Sequence, residues 1–144
     1  MRVLVLEDDA LAAAAVAGLV AAAGHEVVGP LSTVQEALAE VRRAPPDLAL
    51  VDVDLGRGGS GIAAARGLSR HFGVPSVFVT GDVERARDAA DAAIALVAKP
   101  VDPAALLGAI EMAGALAAGR EEGGQRLAPP AGVEVFFLEA ARQA

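Results

Sequence analysis

The run Asp47-Leu-Ala-Leu-Val-Asp52-Val-Asp54 decides how the chain is read. Leu48 to Val51 are four apolar residues unbroken between acids, the composition of a strand buried on both faces. Asp52 falls at the carboxyl end of that strand. Gly56, Gly58, Gly59 and Gly61 follow, so the chain turns there. In an open parallel sheet, ligand chemistry collects outside the carboxyl ends of the strands. Asp52 is therefore the candidate reactive carboxylate, and the rest of the chain is read by what it brings to that point.

Working outward, the same apolar pattern recurs. Val3 to Leu6 ends at Glu7-Asp8-Asp9, Val74 to Thr80 ends at Gly81, and Ile94 to Ala98 ends at Lys99-Pro100. His25 to Leu31 reads as a strand at a sheet edge, where Pro30 is tolerated. Helices are predicted between them. Asp9 to Ala23 carries Leu11, Ala15, Leu19 and Ala22 at helical spacing and closes at Gly24. Ser32-Thr-Val-Gln35 has the form of a capping box and opens a helix with Val34, Leu38 and Val41 as its stripe, ended by Pro45-Pro46. Further helices run from Gly61 to His71, from Val83 to Asp91 behind an Asp82 cap, and from Pro103 to Ala118 behind an Asp102 cap. Leu106, Leu107, Ile110 and Leu116 give the last its apolar side. Strand and helix in alternation imply an α/β fold, a parallel sheet covered on both faces.

The 144 residues fit one domain over residues 1–120, then a linker and a short C-terminal segment over 121–144. Gly123-Gly124 and Pro129-Pro130 mark the linker, and Val133 to Ala141 fits a short helix or a strand with periodicity deciding neither. A net charge of −7 argues against nonspecific nucleic-acid binding and against an acidic membrane surface. The apolar run after Met1-Arg2 is too short for a signal peptide, and Ala10 to Gly24 is too short to span a membrane. The absence of cysteine removes any disulfide framework or thiolate metal site, and a cytoplasmic protein is expected.

If the sheet is parallel, the strand ends share one rim. Glu7, Asp8 and Asp52 then form a carboxylate cluster whose mutual repulsion a divalent cation would relieve. Oxygen ligands suit Mg2+, with Asp8 and Asp52 direct, Glu7 through water, and the backbone carbonyl of Asp54 as a further ligand. Asp52 would act as a carboxylate nucleophile forming an acyl phosphate, while Lys99 and the Thr80 hydroxyl pair with phosphoryl oxygens. Taken singly, an Asp after a strand is a turn residue, and Glu7-Asp8-Asp9 is a helix cap. Jointly, the ends of the first, third, fourth and fifth strands all carry complementary chemistry, and Lys99 is the chain's only lysine. His25 and His71 lie apart and read as structural.

These residues identify a resemblance. Val-Leu-Val-Leu-Glu7-Asp8-Asp9, Pro46-Asp-Leu-Ala-Leu-Val-Asp52, Val77-Phe-Val-Thr80-Gly81 and Lys99-Pro100 together resemble the receiver domain of bacterial response regulators over about residues 1 to 120. The resemblance implies the flavodoxin-like doubly wound five-stranded parallel sheet, strand order 2-1-3-4-5. It also implies phosphoryl transfer to Asp52 from a phosphohistidine on a sensor histidine kinase or a histidine phosphotransfer protein. Glu7 and Asp8 become the acidic pair, Thr80 the switch hydroxyl, and the Lys99-Pro100 bond is expected to be cis. Such a protein is a signalling phosphoacceptor rather than a turnover enzyme. The family usually carries Tyr or Phe three residues before the lysine. Leu96 stands there, so the usual aromatic coupling must run differently. Pro75 to Gly81 looks like a variant motif of some stand-alone alphaproteobacterial receivers, from which Val79 and Asp82 depart. A stand-alone receiver, signalling to a downstream protein target, is expected, and the tail segment leaves pairing with a second copy open. Two other readings are weighed. Asp52-Val-Asp54 matches the start of haloacid dehalogenase-like phosphatases, but there it lies on the first strand. A degenerate receiver, binding without phosphorylation, sits poorly with an intact set of acids, Thr80 and Lys99.

Overall fold

The computed structural model of the chain describes residues 1–119 and 129–136. The strands are β1 (Arg2–Leu6), β2 (Glu26–Leu31), β3 (Leu48–Val51), β4 (Ser76–Thr80), β5 (Ala95–Ala98) and β6 (Val133–Val135). The helices are α1 (Ala10–Ala22), α2 (Val34–Arg43), α3 (Gly61–Phe72), α4 (Val83–Asp88) and α5 (Pro103–Ala117). They form one sheet in the order β2-β1-β3-β4-β5-β6. The first five strands are parallel, as expected, and β6 runs antiparallel to β5.

Alternation along each strand divides the core between the two faces of the sheet. Leu4, Leu6, Val51 and Phe78 join Val41 of α2, Leu68 of α3 and Ala86 of α4 on one face. Val3, Val5, Leu50 and Val77 join Val16 and Val20 of α1 and Leu106 and Ile110 of α5 on the other. All four residues of β3 are buried, as its unbroken apolar run requires. Each such Leu or Val stabilises the fold by about 1.5–3 kcal/mol relative to exposure.

Local chemistry sets the boundaries. Asp9 caps α1, Asp82 caps α4, and Asp102 caps α5 with Pro103 at its first position. Gly73 closes α3 in the left-handed region at φ 66°. Both Lys99–Pro100 and Gly29–Pro30 are cis. Three details differ from expectation. The N-cap of α2 is Thr33, not Ser32, because its hydroxyl accepts from the Glu36 amide at 3.1 Å and the Glu36 carboxylate reaches back. Helix α4 ends at Asp88 rather than Asp91, since the amides of Ala90 and Ala92 bond three residues back and tighten the chain into turns. Helix α1 buries Ala13, Val16 and Val20 and leaves Leu11 85% exposed, so its contact face is not the Leu11–Ala22 stripe. A helix apolar all round gives periodicity nothing to discriminate.

Within the expected Val133–Ala141 segment, β6 settles the strand alternative for its first residues. Residues 137–141 and most of the expected linker lie outside the described residues. No helix among the described residues is long and apolar enough to cross a membrane.

Candidate phosphoacceptor site

The parallel register places the strand ends beside one another. Leu6 pairs with Val51, and the Asp52 amide donates to the Leu6 carbonyl at 3.0 Å, so Glu7 and Asp52 emerge as neighbours. Thr80 pairs with Ala98, and the Lys99 amide donates to the Thr80 carbonyl at 2.9 Å. The rim therefore carries Glu7, Asp52, Thr80 and Lys99 on four adjacent strands, with Asp8 beside Glu7.

Asp52 is 8% exposed, and both of its carboxylate oxygens are engaged. Thr80 Oγ1 donates to Oδ1 at 2.8 Å, and the Asp54 amide donates to the same oxygen at 3.2 Å. Lys99 Nζ donates to Oδ2 at 2.8 Å and also to Glu7 Oε1. Carboxylate oxygens of Glu7, Asp8 and Asp52 lie within 4.8 Å of one another. The Asp54 side chain turns away and accepts from the Gly56 amide at 2.9 Å.

The electrostatics follow from crowding. Burial pushes the Glu7 carboxyl up to about 7; the Lys99 ammonium opposes this and the Asp52 carboxylate adds to it. Burial acts on Asp52 in the same sense, but bonds from Lys99, Glu7, Thr80 and the Asp54 amide outweigh it and hold that carboxyl below its ordinary value. Lys99 loses some basicity to burial and regains more from the two carboxylates, so it stays protonated. Asp52 is thus the ionised acid of the pair, and Glu7 is the one poised to hold a proton.

The donor set fits a divalent cation. Glu7 Oε2 is buried without a hydrogen-bond partner among the described residues. Buried carboxylate oxygens are rarely left so. Asp8 is exposed beside it, and all donors are hard oxygens of the kind such ions take.

One residue at this site was not singled out in the sequence. A Cβ on Gly61 would lie 1.8 Å from the Asp52 carbonyl oxygen, and the Gly61 amide donates to the Val53 carbonyl at 3.0 Å. Only glycine lets α3 begin against the strand end that presents Asp52. The signal was present as one of four clustered glycines, with nothing to separate it from the rest.

The sequence matches the response regulator receiver domain family over residues 3–111. The chain belongs to that family. Among individual proteins it is similar to the phyllosphere-induced regulator PhyR of Methylorubrum extorquens, 36% identical over 117 residues, covering 78% of this chain and 43% of the relative. It is also similar to the transcriptional regulatory protein PdtaR of Mycobacterium tuberculosis, 38% identical over 117 residues, covering 78% of this chain and 56% of the relative. The chain thus spans about half the length of the curated relatives it matches. Among solved structures, the signal receiver domain of a modulated diguanylate cyclase from Desulfovibrio desulfuricans superposes with a TM-score of 0.71 at 34% identity, covering 78% of this chain and 91% of that one.

Proposed function

We propose that residues 1–120 are a phosphoacceptor unit of a two-component or phosphorelay system, with 121–144 appended to it, and that Asp52 takes the phosphoryl group from a phosphohistidine. The observation that supports this best is the division of one buried carboxylate between Thr80 on Oδ1 and Lys99 on Oδ2. In the transfer, an Asp52 oxygen attacks phosphorus. The new O–P bond forms as the P–N bond breaks, and the departing imidazole nitrogen keeps the electron pair.

Glu7, Asp8, Asp52 and the Asp54 carbonyl would hold Mg2+, which supplies neutralising charge to the acids and to a phosphoryl oxygen. The chain's own groups do the positioning. Lys99 is placed to follow charge from Oδ2 onto a second phosphoryl oxygen, and the Thr80 hydroxyl to donate to a third. We read the unit as a signalling phosphoacceptor rather than a turnover enzyme, a reading that its membership of the receiver family favours.

The donor protein, a sensor histidine kinase or a histidine phosphotransfer protein, would approach over α1. There Leu11 stands exposed, and a mainly apolar cleft of about 430 Å³ runs between Ala12, Val16 and Leu19 and the Lys99–Val101 turn. Two similar proteins are named as regulators, which favours a regulatory output; we take that output to be a downstream protein target in the cytoplasm.

The test is to treat the protein with acetyl phosphate and Mg2+ and follow intact mass. The expected result is a gain of one phosphoryl group that requires the metal and vanishes in Asp52→Asn. A wild-type protein that gains nothing overturns the reading, and sustained hydrolysis of the donor in its place would indicate a phosphatase.

A further inference from the structure

We propose that β6 is a latch on the free edge of β5, tied through Thr80 to the phosphoryl state of Asp52; the proposal rests on the phosphoacceptor role given above. Its first support is Phe136, which directly follows β6. Leu96 occupies the position where the family usually carries an aromatic, and the C-terminal segment contributes a ring, Phe136, to the buried cluster that holds Leu96. Phe136 is 4% exposed, and its ring meets Phe78 edge-on at 6.5 Å between centroids. Phe78 lies on β4, two residues before Thr80. The Phe136 amide donates to the Ile94 carbonyl at 2.9 Å, so backbone and ring fix the same end of the strand.

The second support is an ion pair between β6 and α4. Glu134 sits opposite Leu96 in the β5–β6 register. Its carboxylate takes a fork of bonds from Arg87 of α4, with Nε at 2.9 Å from Oε2 and Nη2 at 2.9 Å from Oε1. Helix α4 is therefore joined to β6 by a solvent-exposed ion pair.

The third support is the hydroxyl joining α4 to the acceptor. Thr80 Oγ1 donates to Asp52 Oδ1 at 2.8 Å and accepts from the Asp82 amide at 3.2 Å. Asp82 is the N-cap of α4, where it accepts from the Arg85 amide. One hydroxyl thus touches both the acceptor carboxylate and the first turn of the helix that holds β6. A phosphoryl group on Asp52 presents Thr80 with a more highly charged acceptor. When the hydroxyl turns to it, the Asp82 amide loses its partner, α4 loosens, and Arg87 draws away from Glu134.

The elements along this path are small enough to move. Helix α4 has 6 residues and β6 has 3, which places both toward the low end of local stability. A cleft of about 280 Å³ lies between them, lined by Val83, Arg87, Leu96, Ala98, Val133 and Glu134, which leaves room on the β6 side of α4, while Ala86 anchors the helix to the core.

The experiment is hydrogen exchange read by mass spectrometry on the full chain, with and without acetyl phosphate and Mg2+, while intact mass reports the phosphorylated fraction. Amides of residues 133–136 are expected to exchange at least about tenfold faster in the phosphorylated protein, while those of β1 and β3 are unchanged. Glu134→Gln should raise β6 exchange before any phosphorylation and leave phosphoryl uptake as it was. Thr80→Val should make β6 exchange the same in both states. A phosphorylated wild-type protein with unchanged β6 exchange overturns the latch and leaves the phosphoacceptor reading standing. A protein that gains no phosphoryl group overturns both.

Discussion

Lys99 Nζ lies 2.8 Å from Asp52 Oδ2, joining the end of β5 to the end of β3 across the strand between them. The same ammonium also serves Glu7, so one partly buried cation balances two carboxylates. Replacement Lys99→Met removes that charge and keeps most of the side-chain bulk. Phosphoryl uptake from acetyl phosphate should slow by roughly 100-fold, the usual effect of deleting one preorganised donor at a developing charge. Mg2+ should bind more tightly to the variant, because its competitor for the acids is gone. Rates from intact mass and a calorimetric metal titration check the two halves, and an unchanged rate would remove Lys99 from the mechanism.

The raised Glu7 carboxyl has a stability consequence in metal-free protein. Folded Glu7 holds its proton up to about pH 7, against an ordinary value of 4.5. Between these limits the folded chain binds more protons than the unfolded one, so stability falls as pH rises through that window. Added Mg2+ must displace the Glu7 proton at low pH but not at high pH. The rise in Tm on adding the metal should therefore be larger near pH 8 than near pH 5.5. Thermal melts at both pH values, with chelator and with metal, test this. A larger metal effect at the lower pH would contradict it.

Gly61→Ala sets two effects against each other. At a helix position the substitution should stabilise by about 1 kcal/mol on propensity alone. The new Cβ would meet the Asp52 carbonyl oxygen at 1.8 Å, and forced rearrangement of that kind costs about 3 kcal/mol. The clash wins, so a net loss of about 2 kcal/mol in urea unfolding is expected, together with slower phosphoryl uptake because the backbone of Asp52 must shift. A stabilised variant would show that α3 relaxes freely at its start.

At the other end of the molecule's hydrogen-bond economy, Thr33→Ala removes the cap of α2. The Glu36 amide loses its acceptor, and a destabilisation of about 1 kcal/mol is expected. Ser32→Ala should cost less, since Ser32 only supports the Glu36 carboxylate from outside the helix. Paired urea titrations distinguish them, and the reverse order would return the cap to Ser32.

What could be read without coordinates follows from how each feature is encoded. The residues Glu7, Asp8, Asp52, Thr80 and Lys99 each follow an apolar run, and a parallel sheet places all such positions on one rim. Their meeting was therefore legible from periodicity and order. That Lys99 bridges Glu7 and Asp52 was not legible, because side-chain pairing within a crowded pocket depends on distances that spacing does not carry. Helix α1 lost its register because nearly every residue in it is apolar. Strand β6 stayed undecided between helix and strand because 3 residues contain too little alternation to reveal a period, and its partner β5 lies far back in the chain.

Both margins of the five parallel strands are guarded, by different means. Along β2, Pro30 offers no amide proton and the β1–β2 register shifts nearby, so an incoming strand from another molecule finds an interrupted template. Along β5, the guard is a piece of backbone from the same chain, and it can be cut off. A chain truncated before Pro129 would expose an uncovered row of donors and acceptors at β5, and self-association in concentrated solution should rise for that reason alone.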